Sequence, residues 1–167
     1  MKQDMEFLFK LKAFEKCSTE EISDFVNLVL EGGEIEEVGF NNRIKENSKL
    51  LGFVWQNNEL ASVAAIKTPL RSYHRRVFRK AGVSDIISEY PLEYGWAYTT
   101  KGCRRKGLAS KLAKLLINSF PDTNIYATAA ISNKGSHRLL EKSGFIKIGD
   151  PYIGRKRTIQ LFIKNRE

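Results

Sequence analysis

The sequence predicts an α/β fold, a mixed sheet flanked by helices, and three observations predict it. Runs of strand-like composition are interleaved with amphipathic helical runs rather than segregated into separate halves of the chain. The runs are separated by breaks rich in Gly, Pro and Asn. From Leu92 to Ser119 a strand-like run, a basic loop with two glycines and an amphipathic helix follow one another directly. With 167 residues, 42% of them hydrophobic and 28% charged, the chain has the makings of a single globular domain over residues 1–167 rather than a disordered segment.

Met5–Lys12 reads as the first strand, its Phe7, Phe9 and Leu11 alternating with charged residues. Ser18 and Glu21 have the spacing of a capping box. The helix they open buries Ile22, Phe25, Val26 and Val29 and ends near Gly32-Gly33. A weaker helical segment covers Glu36–Lys45. Leu50–Gln56 and Leu60–Lys67 are apolar runs separated by Asn57-Asn58-Glu59, a hairpin signal. Arg71–Gly82 is expected as a helix capped by Ser72 and closed by Gly82. Pro91 introduces the strand Leu92–Thr100, and the next helix runs from Gly107 to Pro121. Asn124–Ala130 is a further strand and Lys134–Lys142 a short helix closed by Gly144. Phe145–Ile148 and Thr158–Ile163 close the sheet.

Charge is unevenly placed. Residues 1–47 hold 11 acidic and 6 basic side chains, whereas residues 48–167 hold 8 and 22. A basic body suits an anionic ligand, either a phosphorylated cofactor or nucleic acid. Arg71–Gly82 interleaves arginines with Tyr73, His74 and Phe78, which admits two readings. One is an RNA-binding surface. The other, which we favour from sequence, is an amphipathic helix with Tyr73, Val77 and Phe78 inward and the arginines in water. Two cysteines, Cys17 and Cys103, are too few for a disulfide framework or a cysteine-based metal site. No stretch has the length and hydropathy of a membrane span, and the N-terminus lacks the apolar core of a signal peptide, so a cytoplasmic protein without membrane partner or metal is expected.

The loop Lys101-Gly102-Cys103-Arg104-Arg105-Lys106-Gly107 ends where the helical period begins, with Leu108, Leu112, Leu115 and Leu116 on one face. A helix start offers unpaired N–H groups and the positive end of a dipole. Three consecutive cations and a glycine that admits close approach make this a candidate phosphate cradle. The alternative is a solvated turn with incidental charge. It is not a nucleotide P-loop, because Leu108-Ala109 stand where Lys-[Ser/Thr] would be required.

Arg104-x-x-Gly107-x-Ala109 resembles the acyl-CoA pyrophosphate loop of the GNAT superfamily of N-acetyltransferases. A second stretch, Asn133 through Leu139-Leu140-Glu141-Lys142 to Gly144-Phe145, is similar to that family's Asn, short helix and Gly-Phe. The resemblance implies a mostly antiparallel sheet with a splayed strand pair holding CoA, and acetyl transfer from acetyl-CoA to a primary amine of a small molecule or peptide. It assigns cofactor binding to Ala97, Tyr98 and Thr99 along the strand and to Arg104, Arg105, Lys106, Gly107, Leu108, Ala109 and Ser110 around the pyrophosphate. Asn133 is expected to hydrogen-bond the cofactor.

For chemistry, the attacking amine must be neutral, and the resemblance points to Glu93 as general base. The Tyr98 backbone N–H would polarise the thioester carbonyl. The alternative for Glu93 is a strand carboxylate paired with one of the many arginines. The family's usual acid, a Tyr, is here Leu140. Water, Tyr126, Cys103 or His137, expected on an exposed or cofactor-facing side of its helix, are the substitutes, unless the thiolate leaves without an acid. Nucleic acid is not favoured as a partner and a homodimer is left open. A GNAT-fold protein that binds CoA or RNA without acetyl transfer is the alternative function.

Overall fold

A computed structural model of the chain describes residues 6–167, and Met5, assigned to the first strand above, lies outside them. Among the described residues the elements in order are β1 (Phe7–Lys12), α1 (Thr19–Glu31), α2 (Phe40–Asn47), β2 (Ser48–Gln56), β3 (Glu59–Lys67), α3 (Arg71–Lys80), β4 (Leu92–Thr99), α4 (Leu108–Asn118), β5 (Ile125–Ala130), α5 (Lys134–Lys142), β6 (Ile146–Ile153) and β7 (Thr158–Lys164). The strand order in the sheet is β1-β2-β3-β4-β5-β7-β6. β1–β2, β5–β7 and β6–β7 pair antiparallel, and β4–β5 pairs parallel. The mixed, mostly antiparallel α/β fold expected from the sequence is the one observed. The chain divides into two compact units, Met1–Ile66 with Trp96–Leu116, and Lys67–Gly95 with Ile117–Glu167.

In the first unit the start of α1 is fixed by the expected capping box. Ser18 Oγ accepts from Glu21 N at 3.1 Å and Glu21 Oε1 accepts from Ser18 N at 2.9 Å. Lys12 Nζ, at the end of β1, sits 2.8 Å from Glu21 Oε2. That contact, with the Ser18 N–H, holds the Glu21 carboxyl below its usual range. α1 buries Phe25, Val26, Leu28 and Val29, each burial contributing about 1.5–3 kcal/mol. Phe25 packs edge-on against Phe53 of β2, and Phe40 edge-on against Trp96 of β4. α2 begins four residues later than the sequence reading placed it. Arg43 donates to the carbonyls of Val38 and Glu36, at 3.0 and 2.8 Å, and holds that stretch as a turn before the helix.

In the second unit Val77, Phe78, Tyr90, Tyr126, Leu161 and Ile163 form the core. Phe78 meets Tyr126 edge-on at 5.2 Å. The inward set expected for α3 is therefore correct, but its cap is not. Leu70 is the N-cap, with extended backbone and no side-chain cap, and its carbonyl accepts from His74 N at 2.9 Å. Ser72 is inside the helix. β6 runs to Ile153, well past the expected end at Ile148. Its register is irregular between Ile148 and Tyr152, where Gly149 adopts φ +68. Asp150 N donates to Ala81 O at 3.0 Å. Gly-Asp-Pro reads as a terminator in sequence, yet here it makes a bulge that carries the strand past the end of α3.

Candidate active site

The sequence from β4 through the loop to α4 supplies the candidate anion cradle in the first unit. A short 3-10 turn, Lys101–Cys103, leads to Arg105 at φ +62 and Gly107 at φ +75. This left-handed step at Gly107 ends the loop and lets α4 begin, with Lys111 N bonding Gly107 O at 3.1 Å. A Cβ at Gly107 would meet nothing within 4 Å, so the space over the loop is open. Leu108, Ala109 and Ser110 open α4 ahead of its first i→i−4 bond, so their N–H groups have no intrahelical partner. Arg105, Lys106 and Gly107 are exposed, Ala109 and Ser110 half-buried, and Leu108 buried in the core. Arg104 turns back, donating from Nε to Thr99 O at 3.1 Å with its guanidinium 5.4 Å from the Tyr98 ring centroid. Lys106 Nζ lies 5.6 Å from the Phe7 ring centroid.

The end of β4 in the same unit is held by short polar contacts. Ser62 Oγ lies 2.7 Å from Thr99 Oγ1 and 3.3 Å from Tyr98 O, and Thr100 N donates to Ala61 O at 2.9 Å. Trp96 adopts φ +50, a conformation that a bulky side chain seldom takes and that marks a kink inside the strand. Ala97 is exposed, and Tyr98 and Thr99 are half-buried.

In the second unit, parallel pairing of β4 with β5 covers Leu92↔Ile125 and Glu93↔Tyr126 and goes no further through Tyr94 and Gly95. Where it stops, Glu93 sits with only 3% of its surface exposed. Its Oε2 is 3.1 Å from Lys67 Nζ and accepts from Tyr126 OH at 3.2 Å, while Oε1 accepts from Tyr73 OH at 3.3 Å. The Lys67 side chain lies over Gly95, where a Cβ would come within 3.0 Å of Nζ. Burial first, then the Glu93 charge, pushes the Tyr73 and Tyr126 phenols well above their ordinary range. Both phenols remain protonated and donate to the carboxylate. His74 stacks on Tyr126 at 5.1 Å, and burial lowers its pKa, partly opposed by Glu93.

Sequence reasoning found Glu93 and named Tyr126, but not Lys67 or Tyr73 as its partners. The available signals were a lysine closing an apolar strand and a tyrosine on the inward face of α3. Asn133 caps α5, its Oδ1 accepting from Ser136 N at 3.1 Å. His137 is buried, not exposed as expected. Its Nε2 lies 3.0 Å from Ala130 O and its ring is edge-on to Phe162, so it ties α5 to the end of β5. Leu140 is buried as well. Cys103 Sγ is 3.6 Å from Gln56 Oε1. Among the described residues no cluster of three His, Cys, Asp or Glu side chains is arranged to hold a metal ion, and no helix is long and apolar enough to cross a membrane.

Comparison with curated proteins finds no match. The model of the acetyltransferase (GNAT) family matches residues 12–145. Among solved structures the chain is similar to an acyl-CoA N-acyltransferase from Pseudomonas aeruginosa, at 12% identity and a TM-score of 0.67, over 95% of this chain and 99% of that one. Escherichia coli ElaA is similar at 14% identity and 0.67, over 96% and 100%. A chain of the NatC complex bound to Gag peptide and CoA is similar at 16% and 0.66, over 98% and 100%. At these identities the structures speak for the fold. The family match, spanning most of the sequence and both motifs at Arg104 and Asn133, places the chain in the GNAT family of acetyltransferases.

Proposed function

We propose that the protein is a single-domain N-acetyltransferase that moves an acetyl group from acetyl-CoA to a primary amine by direct attack. The observation that carries this reading is the start of α4, where the N–H groups of Leu108–Ser110 precede the helix's first bond and follow a cationic loop. Such a helix start suits a diphosphate. In this reading Arg104, Arg105 and Lys106 add charge, Ala97, Tyr98 and Thr99 offer backbone groups to the pantetheine arm, and the Asn133 side-chain NH₂, left over from its capping role, donates to the cofactor. The Tyr98 N–H polarises the thioester carbonyl.

Glu93 removes the proton of the attacking amine. As the C–N bond forms, the C–S bond breaks and CoA leaves as a thiolate that takes a proton from water. Because Glu93 is almost wholly buried, the proton reaches it through the Tyr73 phenol or an intervening water rather than by direct contact. A second reading, binding of CoA without transfer, draws on the same geometry, since Glu93 is already neutralised by Lys67 and Leu140 cannot donate a proton.

A thiol-release assay over amines, polyamines and N-terminal peptides tests the choice. Acetyl transfer predicts release that depends on the amine, and Glu93→Gln lowering turnover more than acetyl-CoA affinity, most severely at low pH. No release with any amine of the panel would favour binding alone, whereas release independent of the amine would mean thioester hydrolysis.

A further inference from the structure

Glu93 is almost wholly buried, so a proton can reach it only through the groups that touch it. Lys67 Nζ and the Tyr126 phenol hold Oε2, and the Tyr73 phenol holds Oε1. An ammonium has no lone pair and cannot receive a proton to hand on. Tyr126 has none of its surface exposed and lies under the stacked His74 ring, so it offers no way out. A phenol can accept at its oxygen while it donates its own proton, and Tyr73 already donates to Glu93 at 3.3 Å. The Tyr73 oxygen in turn bonds the Thr128 hydroxyl. That bond pulls the phenol down against the upward push of burial, as a donor to its oxygen does.

Thr128 is the only residue of β5 that is not buried. It stands two residues beyond Tyr126, on the same face of the strand. Pairing of β4 with β5 ends at Glu93↔Tyr126, so Thr128 lies past the end of that ladder. On its other side β5 continues to pair with β7, at Thr128↔Leu161, which fixes the backbone under the half-buried side chain. The hydrogen bonds run in one direction, from Thr128 to Tyr73 and from Tyr73 to Glu93. With its proton committed to Tyr73, the Thr128 oxygen has only lone pairs left for an outside partner. The chemical group that fits such an acceptor is an N–H.

We propose that Thr128 meets the nitrogen of the acceptor amine, and that Thr128 and Tyr73 relay its proton to Glu93. The inference rests on the acetyl-transfer reading. As the nitrogen pair forms the C–N bond, the amine proton passes to Thr128 Oγ1, the Thr128 proton to the Tyr73 oxygen and the Tyr73 proton to Glu93 Oε1. Both hydroxyls end neutral and the carboxylate ends as the acid. Thr128→Val keeps the shape of the side chain and suits a strand, and Tyr73 keeps its bond to Glu93, so the variant should keep its melting temperature. In the free protein, carbon-13 NMR of labelled tyrosine Cζ in mixed light and heavy water reads the exchange of each phenol proton. Thr128→Val should slow exchange at Tyr73 at least about tenfold and leave Tyr126 as it was, whereas Thr128→Ser should slow neither. With acetyl-CoA and an amine from the panel, Thr128→Val should lower kcat at least about tenfold at unchanged KM for acetyl-CoA, and Thr128→Ser should keep most of the rate. Tyr73→Phe breaks the relay at its middle and should lose as much. Adding Thr128→Val to it should lose nothing more, because the two groups act in series. If Thr128→Val does not fold, Tyr73→Phe carries the test. Unchanged exchange at Tyr73, undiminished turnover in either folded variant, or additive losses in the double variant would overturn the proposal. No thiol release from the wild type would instead end the acetyl-transfer reading, with the exchange rates still deciding whether protons reach Glu93 through Thr128.

Discussion

Glu93 and Lys67 form a buried ion pair, 3.1 Å apart, with Tyr73 and Tyr126 completing the carboxylate's hydrogen bonds. Removing two charges from water costs several kcal/mol each, and only a well-satisfied geometry offsets that cost. Removing one partner should therefore destabilise strongly. Lys67→Met or Glu93→Gln alone is expected to lose about 3–5 kcal/mol in denaturant unfolding, and the double variant much less than the sum. Additive losses would mean that the two side chains do not act as a pair. The double variant also separates catalysis from folding, since it removes Glu93 without stranding a charge. A neighbour gives a pH signature. His74 has its pKa lowered, so the unfolded chain binds its proton more readily than the folded one. Stability from this group is complete above the ordinary histidine value of about 6.5 and is lost as pH falls through the lower folded value. Melting temperature should drop on acidification across that window, and His74→Phe should flatten the drop. An unchanged profile in the variant would assign the titration elsewhere. Glu93 was legible because it stands in a recognisable strand, whereas Lys67 and Tyr73 reach it from separate elements that no local pattern connects.

At the level of elements, period and capping signals were sufficient where local forces decide the structure. The α1 capping box and the inward face of α3 are both as the sequence indicated. The misreadings arose where a tertiary contact overrides a local signal. β6 continues through Gly149-Asp150-Pro151 because Asp150 N bonds Ala81 O at the end of α3. His137 is buried because its ring bonds Ala130 O, a partner invisible to helical periodicity. Gly149 gives the sharpest element-scale prediction. At φ +68, a Cβ would stand 2.4 Å from Ala81 O, inside any tolerable contact. Gly149→Ala should lose about 1–3 kcal/mol from backbone strain alone, with the clash adding to it. A lowered urea midpoint measures it, and wild-type stability in the variant would contradict the bulge geometry.

Over the molecule as a whole, the division between the two compact units falls within β4. Residues from Trp96 on belong with the loop and the start of α4, and residues up to Gly95 belong with the Glu93 cluster. The candidate anion cradle was visible in the sequence because cations, Gly107 and a helix start lie consecutively along the chain. The sequence could not carry the charge balance at Glu93, assembled from residues 67, 73, 93 and 126. The central claim, that the 101–110 loop and helix start hold acetyl-CoA, is tested most directly by calorimetric titration. Acetyl-CoA should bind the wild type saturably and one to one. Gly107→Val, which forces a β-branched side chain into φ +75, should bind at least about tenfold more weakly, as expected if the loop must hold this backbone shape. No saturable binding to the wild type at millimolar acetyl-CoA, or equal affinity in the two proteins, would contradict it.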